Sequence, residues 1–510
     1  MRHFLLVALL PVLTACSGTY PIQPSHALSP AASSFGQQLQ AQTARHPGQS
    51  GFHLLAASDQ AFAARAELIR AARSSLDLQY YIVHDGLSTR ALIDELLAAA
   101  DRGVRIRILL DDTSSDGHDY QIALLAAHHN VQVRVFNPLH LGRATGVTRT
   151  LGRALNLGRQ HRRMHNKLWL ADSSAAIVGG RNLGDEYFDA EPSRNFTDID
   201  LLAVGPVAEQ LAHSFDQYWN SALSKPIQQF LYWPPNERDL AKARRQLQTY
   251  LDRAREQRHE LYRHLLAYRE QPRLQQWLEE LTWAPAQALW DAPAKVLADG
   301  EPDPQLLLAS QLAPRLSELH EELILVSAYF VPAENGTRYL TNHADRGVSI
   351  SLLTNSLDAT DVPAVHGGYA PYRRELLEHG VRLFELRRQP GRDASYSFSG
   401  TSESSLHSKA MVLDRRYAFI GSFNFDPRSL LWNTEVGVLI DSPQLSEQVR
   451  ALALEGMQPA LSYEVRLVDG ALRWRGEDDG RQYELHREPG NAWRRFNAWF
   501  AEFIGLERML

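Results

Sequence analysis

Two apolar runs with the length and flanks of buried strands, Leu76-Asp-Leu-Gln-Tyr-Tyr-Ile-Val83 and Leu323-Ile-Leu-Val-Ser-Ala-Tyr-Phe-Val331, stand far apart in the chain. Each is followed by a stretch of helical spacing and then by a repeated phrase, Ala100-Asp-Arg-Gly-Val-Arg-Ile-Arg-Ile-Leu-Leu110 and Ala344-Asp-Arg-Gly-Val-Ser-Ile-Ser-Leu-Leu353. The glycine in each phrase suits a helix C-cap, and the Val/Ile run after it suits the next strand. A third pair follows, His165-Asn-Lys-Leu-Trp-Leu-Ala-Asp172 and His407-Ser-Lys-Ala-Met-Val-Leu-Asp414. Matching Tyr80 to Tyr329, Gly103 to Gly347 and His165 to His407 gives offsets of 249, 244 and 242 residues. Nearly constant offsets over such a length predict a duplicated α/β domain, because solenoid repeats recur every ~20–50 residues.

The pattern changes between and beyond the two copies. Residues 221–298 are charged and rich in Gln and Leu, with helical spacing from Glu237 to Leu281, and predict a helical insertion between a first domain at 51–220 and a second at 299–455. Over 456–510, alternation on either side of Asp469-Gly470 predicts a hairpin, followed by an amphipathic helix bearing Trp493, Phe496, Phe500 and Phe503. Most amphipathic helices turn their apolar side inward, so this one is expected to cap its own domain, with a membrane surface as the alternative.

Composition narrows the class. The chain of 510 residues is 44% hydrophobic, which suffices for a large core, and its net charge of -6 lacks the basic excess of a general nucleic-acid binder. At the start, Arg2 and His3 precede the apolar run Phe4 to Leu13, too short for a stable membrane span. Leu13-Thr-Ala-Cys16 then resembles a bacterial lipobox, so 1–16 is expected to be a lipoprotein signal peptide with Cys16 the acylated residue. Residues 17–50, rich in Ser, Ala, Gln and Pro, are expected to be a tether. Ser17 in place of Asp points to the periplasmic face of the cell envelope, at the outer membrane. Cys16 is the sole cysteine, which excludes an intramolecular disulfide or a cysteine-held metal cluster.

The candidate chemistry lies in the third repeat. Alternate residues of a strand share a face, so His165 projects with Lys167, and His407 with Lys409. Ile177-Val-Gly179-Gly180-Arg-Asn182 and Phe419-Ile-Gly421-Ser422-Phe-Asn424 follow, each Asn 17 residues after its His. Small residues at Gly179, Gly180, Gly421 and Ser422 would let backbone amides approach a phosphate, with Asn182 and Asn424 as neutral donors. Asp198 and Glu435, each after a Thr, offer one carboxylate per copy to hold an imidazole in one tautomer.

His-x-Lys-x4-Asp followed by Gly-Gly/Ser-x-Asn, present twice, resembles the phospholipase D superfamily over roughly residues 51–455. The resemblance implies two phospholipase D-like α-β-α domains around one shared site, complete in a monomer, and phosphodiester chemistry without metal or other cofactor. One histidine, by analogy His165, would attack phosphorus to form a phosphohistidine while the other serves the leaving and incoming groups. Lys167 and Lys409 would stabilise charge on the oxygens, Asp198 and Glu435 would orient the imidazoles, and Asp172 and Asp414 would serve the fold.

Finer phrases are similar to bacterial cardiolipin synthases of the phosphatidylethanolamine-using type: Arg163-Met-His-Asn-Lys167, Ser404-Ser-Leu-His-Ser-Lys409, Gly421-Ser-Phe-Asn-Phe-Asp-Pro-Arg-Ser429, and Leu353-Thr-Asn-Ser356 with Val362 to Tyr369. The last segment makes Asn355 and Tyr369 candidates for a headgroup site. Phosphatidyl transfer from phosphatidylglycerol and phosphatidylethanolamine is the function this implies, with no nucleic-acid partner. Hydrolysis to phosphatidic acid, a nucleic-acid phosphodiesterase and a non-catalytic envelope lipoprotein are the alternatives.

Overall fold

A computed structural model describes residues 22–115, 118–139, 161–191, 193–388 and 403–503. Cys16 and most of the expected leader therefore lie outside the described residues. The first half supplies β1 (Ser50–Leu55), β2 (Ser75–Tyr80), β3 (Arg105–Asp111), β4 (Val131–Phe136), β5 (Leu168–Ala171), β6 (Ala175–Gly179), β7 (Arg194–Thr197), β8 (Asp200–Val204) and β9 (Ser224–Pro226). The intervening segment adds β10 (Thr282–Ala284) and β11 (Ala286–Trp290). The second half contains β12 (Glu322–Ser327), β13 (Ser349–Asn355), β14 (Arg382–Leu386), β15 (Glu403–Leu406), β16 (Lys409–Leu413), β17 (Tyr417–Gly421), β18 (Val436–Asp441), β19 (Ser462–Val468), β20 (Ala471–Asp478) and β21 (Arg481–Leu485).

The strands form two mixed sheets of matching topology, β10-β1-β8-β6-β5-β2-β3-β4-β9 and β11-β18-β17-β16-β12-β13-β14-β19-β20-β21, and a separate pair, β15-β7. In each sheet three neighbours run parallel, β2-β3-β4 and β12-β13-β14, and the remaining pairs are antiparallel. The α/β duplication is thus visible strand by strand. Gly103 and Gly347, with φ of 92° and 94°, end the helices Leu87–Asp101 and Ala333–Asp345 in the left-handed conformation that glycine adopts without steric cost.

Register corrects one correspondence. Leu78 lies opposite Trp169, and Leu325 opposite Met411. Tyr80 is therefore equivalent to Ser327, and Tyr329 to Ile82, so the 249-residue offset matched aromatic identity rather than position. The segment boundaries shift too. By topology β9 completes the first repeat, β11 opens the second and β19 closes it, so the intervening segment is not wholly helical. Its helices Glu237–Gln257, His259–Leu265 and Leu274–Glu279 place Leu251, Tyr262, Leu265 and Trp277 against the core of the first repeat. It ends as strands because β1 and β18 each offer an open edge, which β10 and β11 fill on either side of the single residue Pro285.

The expected tether is, from residue 22 onward, part of the folded body. Ser33 caps the helix Ser34–Thr43, which buries Phe35 and Leu39, while Arg107 and Arg134 donate to the carbonyls of Ser25 and Gln23 at 2.7 and 2.8 Å. At the other end the expected hairpin is a three-stranded meander, its turns at Asp469-Gly470 and Asp479-Gly480 having positive φ at both positions. The C-terminal helix Ala492–Phe503 does not cap the domain with its aromatic side: Ala498 and Ala501 are buried, whereas Trp493, Phe496, Phe500 and Phe503 are exposed.

The two sheets share one apolar layer. Leu168, Leu170, Val178 and Leu201 of the first sheet pack in the same cluster as Ile324, Val326, Ala410 and Ile420 of the second. Asp172 and Asp414 fix the strand ends on either side of that layer. Asp172 accepts from the backbone N–H groups of Arg73, Ser74 and Ser75 at 2.8–2.9 Å, and Asp414 accepts from those of His320, Glu321 and Glu322. Replacing Asp172 with Ala orphans these donors and is expected to lower stability by roughly 2–4 kcal/mol, measured as a shifted urea midpoint with an unchanged m-value.

Candidate active site

Each histidine is seated by the opposite repeat. His165 precedes β5, and its backbone N–H donates to the Thr434 carbonyl at 2.9 Å, while Thr434 donates back to Arg163 at 2.9 Å. His407 follows β15, which pairs in parallel with β7 from the first repeat, and its N–H donates to the Thr197 carbonyl at 2.8 Å. Each clasp places a histidine beside the carboxylate that follows the clasping threonine. His165 Nδ1 lies 2.9 Å from Glu435 Oε2, and His407 Nδ1 lies 2.8 Å from Asp198 Oδ2. The carboxylates are therefore exchanged between copies. In both pairs Nδ1 is engaged, which leaves Nε2 as the nitrogen available for chemistry.

The site is almost wholly buried. Both histidines, both lysines and both carboxylates are buried, and each lysine Nζ donates to the carbonyl of the histidine two residues before it. Burial drives the Lys167 ammonium well below its ordinary pKa and lowers Lys409 as well. The His165 imidazole is pushed well down by burial, then by the Lys167 and Lys409 charges. His407 is lowered for the same first reason and by Lys409, but Asp198 works in the opposite direction. The two carboxylates diverge. Burial pushes Glu435 up to about 7 against the pull of Lys167. Burial also pushes Asp198 up, but its bond to His407 and the nearby cations outweigh this and hold it below the usual carboxylate range.

The small-residue pairs have packing roles of their own. A Cβ on Gly179 would meet Asp200 Oδ1 at 2.1 Å, and one on Gly421 would meet the Val436 carbonyl at 2.4 Å. These glycines let β6 and β17 run close to β8 and β18. At the next positions, a Cβ on Gly180 would strike Asp198 Oδ1 at 2.2 Å, while the Ser422 hydroxyl donates to Glu435 Oε2 at 2.5 Å. Gly180 makes room for one carboxylate and Ser422 holds the other. Asn182 and Asn424 each accept through Oδ1 from a strand-end N–H, of Ile82 at 3.2 Å and of Tyr329 at 3.4 Å, and Asn182 Nδ2 donates to Tyr187 Oη at 3.1 Å.

Asn355 and Tyr369 support the wall of the site. Asn355 donates to the carbonyls of Ala328 and Leu406 and accepts from the Leu406 N–H at 2.8 Å, so it pins the strand leading into His407. Tyr369 is buried against Phe330 and beneath the Arg373 guanidinium.

Three groups had escaped the motif reading. Ser429 donates through Oγ to Glu435 Oε1 at 2.8 Å; it lies in the phrase Gly421 to Ser429 but carried no role there. Asp291, raised to about 6 by burial, accepts from the Glu435 N–H at 2.8 Å and pairs with Lys295 at 3.0 Å, and Lys295 donates to the Ser429 carbonyl at 2.8 Å. No spacing signal marked this pair, because it sat in the supposed insertion. In the first repeat the buried Asp200 pairs with Arg65 at 2.8 Å and Arg181 at 3.5 Å. Aromatic rings complete the walls, Tyr81 5.1 Å from the His165 ring, and Tyr187 and Phe196 5.3 and 5.2 Å from that of His407.

Two imidazoles oriented by exchanged carboxylates, each with a buried lysine two residues on, define a phospholipase D-type phosphodiester site. The family described as "Cardiolipin synthase, PLD-like domain" matches residues 66–219 and 312–454. The chain is 37% identical over 476 residues to cardiolipin synthase C of Escherichia coli K12, covering 91% of this chain and 97% of that one. It is 27% identical to cardiolipin synthase A of Pseudomonas fluorescens, over 81% of this chain and 69% of that one. In fold it resembles phosphatidylserine synthase of Haemophilus influenzae, with a TM-score of 0.57 at 12% identity, covering 93% of this chain and all of that one. The chain belongs to the cardiolipin synthase family of proteins with phospholipase D-like domains.

Glu435 has a pH signature. Its folded pKa of about 7 lies above its value of 4.5 when unpaired, so the stability it contributes is complete below pH 4.5 and is lost as pH rises through 7. Glu435→Gln removes this titration, and thermal unfolding of that variant is expected to lose less stability than the parent chain between pH 4.5 and 7.

Proposed function

We propose that the chain transfers phosphatidyl groups between phospholipids through a phosphohistidine, with phosphatidylglycerol and phosphatidylethanolamine as its lipids. The observation that carries this reading is the pair of histidines held at Nδ1 by exchanged carboxylates, in a chain 37% identical to a cardiolipin synthase. His165 is the nucleophile. Burial and two nearby lysines keep its imidazole neutral, so the Nε2 lone pair is available to attack phosphorus. His407 is the proton carrier, because the Asp198 carboxylate that faces it keeps its charge and opposes the downward pull of burial on the imidazole.

In the first step the P–N bond to His165 forms as the P–O bond to the departing alcohol breaks, and His407 gives its proton to the leaving oxygen. In the second, His407 takes the proton of the incoming alcohol, whose oxygen attacks phosphorus as the P–N bond breaks. Lys167 and Lys409 stabilise the charge on the phosphoryl oxygens. The buried, aromatic-walled site supports a lipid alcohol rather than water as acceptor. We place the chain at the periplasmic face of the outer membrane, anchored through an acylated Cys16, on the strength of Leu13-Thr-Ala-Cys16 and Ser17.

Incubation with the two lipids followed by mass spectrometry is expected to show cardiolipin; phosphatidic acid alone would mean hydrolysis, and no lipid product would end the reading. His165→Ala and His407→Ala should each lose roughly 10³-fold or more in turnover, and Asp198→Asn about 10²–10⁴-fold through loss of the imidazole tautomer. Acid-labile phosphatidyl adduct is expected on the peptide containing His165; adduct confined to His407 would reverse the assignment.

A further inference from the structure

The C-terminal helix Ala492–Phe503 is amphipathic in the wrong sense for a helix packed on its own protein. Its buried side is small: Ala498 and Ala501 pack inward, and the helix Pro363–Tyr369 approaches so closely that a Cβ on Gly367 would meet the Ala498 carbonyl at 2.2 Å. On the other side Trp493, Phe496, Trp499, Phe500 and Phe503 are 67, 48, 54, 45 and 72% exposed. At 100° per residue these five fall within an arc of about 120°, opposite the alanines. The rings touch in series, Trp493 on Phe496, Phe496 on Trp499 and Phe500, and Trp499 on Phe503, with centroids 5.4–6.0 Å apart. This is one continuous apolar patch, not scattered exposure.

The patch is fixed beside the site. Arg494 donates to the carbonyls of Leu357 and Thr360 at 3.0 and 2.7 Å, and the next residue, Asp361, accepts from Tyr329 Oη at 2.7 Å and acts electrostatically on Lys409. Before the helix, Glu488 is tied to Arg373 and to His366, the latter at 2.6 Å. The helix thus starts at the rim of the active site and is held rigidly there.

We infer that this aromatic face docks in the interfacial layer of a phospholipid bilayer and sets the mouth of the site at headgroup level, an inference that rests on the lipid reading above. Trp and Phe on one side of a short helix are the side chains that partition at that depth, and at about 18 Å the helix is too short to cross a hydrocarbon core of ~30 Å. No helix among the described residues is long and apolar enough to do so. A second copy of the chain fits the patch poorly, because the five side chains offer roughly 600 Å² against the ~800 Å² per partner of a stable interface. The exposed cations at the N-terminal border, Arg487 and Arg495, suit anionic headgroups but would repel their own copies across a two-fold axis.

The test uses the full chain with Cys16→Ser, so that no acyl anchor contributes, against the same chain carrying W493S, F496S, W499S, F500S and F503S. Co-sedimentation with vesicles of phosphatidylethanolamine and phosphatidylglycerol, and turnover on those vesicles, are both expected to fall at least about tenfold, while turnover of monomeric short-chain phosphatidylglycerol stays within about twofold. Unchanged vesicle binding, equal loss on both forms of substrate, or a change of oligomeric state in light scattering would each overturn the inference. His165→Ala separates the two readings: it should sediment with vesicles as the parent does. If the parent binds vesicles through the aromatic residues yet turns over no lipid, docking stands and the proposed reaction fails.

Discussion

The constraint on which the rest depends is that each histidine receives its carboxylate from the other repeat. A histidine and carboxylate in the same copy would allow two self-sufficient half-sites facing anywhere. Exchanging them forces the segments before β5 and after β15 to cross between repeats, and the backbone clasps at Thr434 and Thr197 make those crossings rigid. The shared apolar layer then has a second task besides stability, which is to hold both clasps in register across many strands.

The two clasps are alike in backbone and unlike in electrostatics. Asp198 is short, sits against Gly180 and keeps its charge; Glu435 is longer, is gripped by Ser422 and Ser429 and backed by the buried Asp291–Lys295 pair, and gives its proton up only near neutrality. Duplication alone would yield two equivalent histidines. The surroundings of the two carboxylates set the two imidazoles apart electrostatically.

Much of this was legible in the residues. The duplication, the paired His-x-Lys elements and the turn at Asp469-Gly470 could be read because each is a local pattern with one structural solution. Exchange was not legible, since spacing within a copy cannot say which copy a carboxylate will face. The packing roles of Gly180 and Ser422 were hidden for a related reason: small residues near a motif suit a phosphate, a close strand or a bulky carboxylate equally well. The Asp291–Lys295 pair was hidden by its place in a segment whose dominant periodicity is helical, and the aromatic helix was misread because amphipathicity gives the direction of an apolar face but not what lies behind it.

Pro285 alone separates β10, at the edge of one sheet, from β11, at the edge of the other. Among the described residues, so short a joint and a common apolar core tie the two sheets into one block. A shift of either sheet would be passed to both histidine–carboxylate pairs at once.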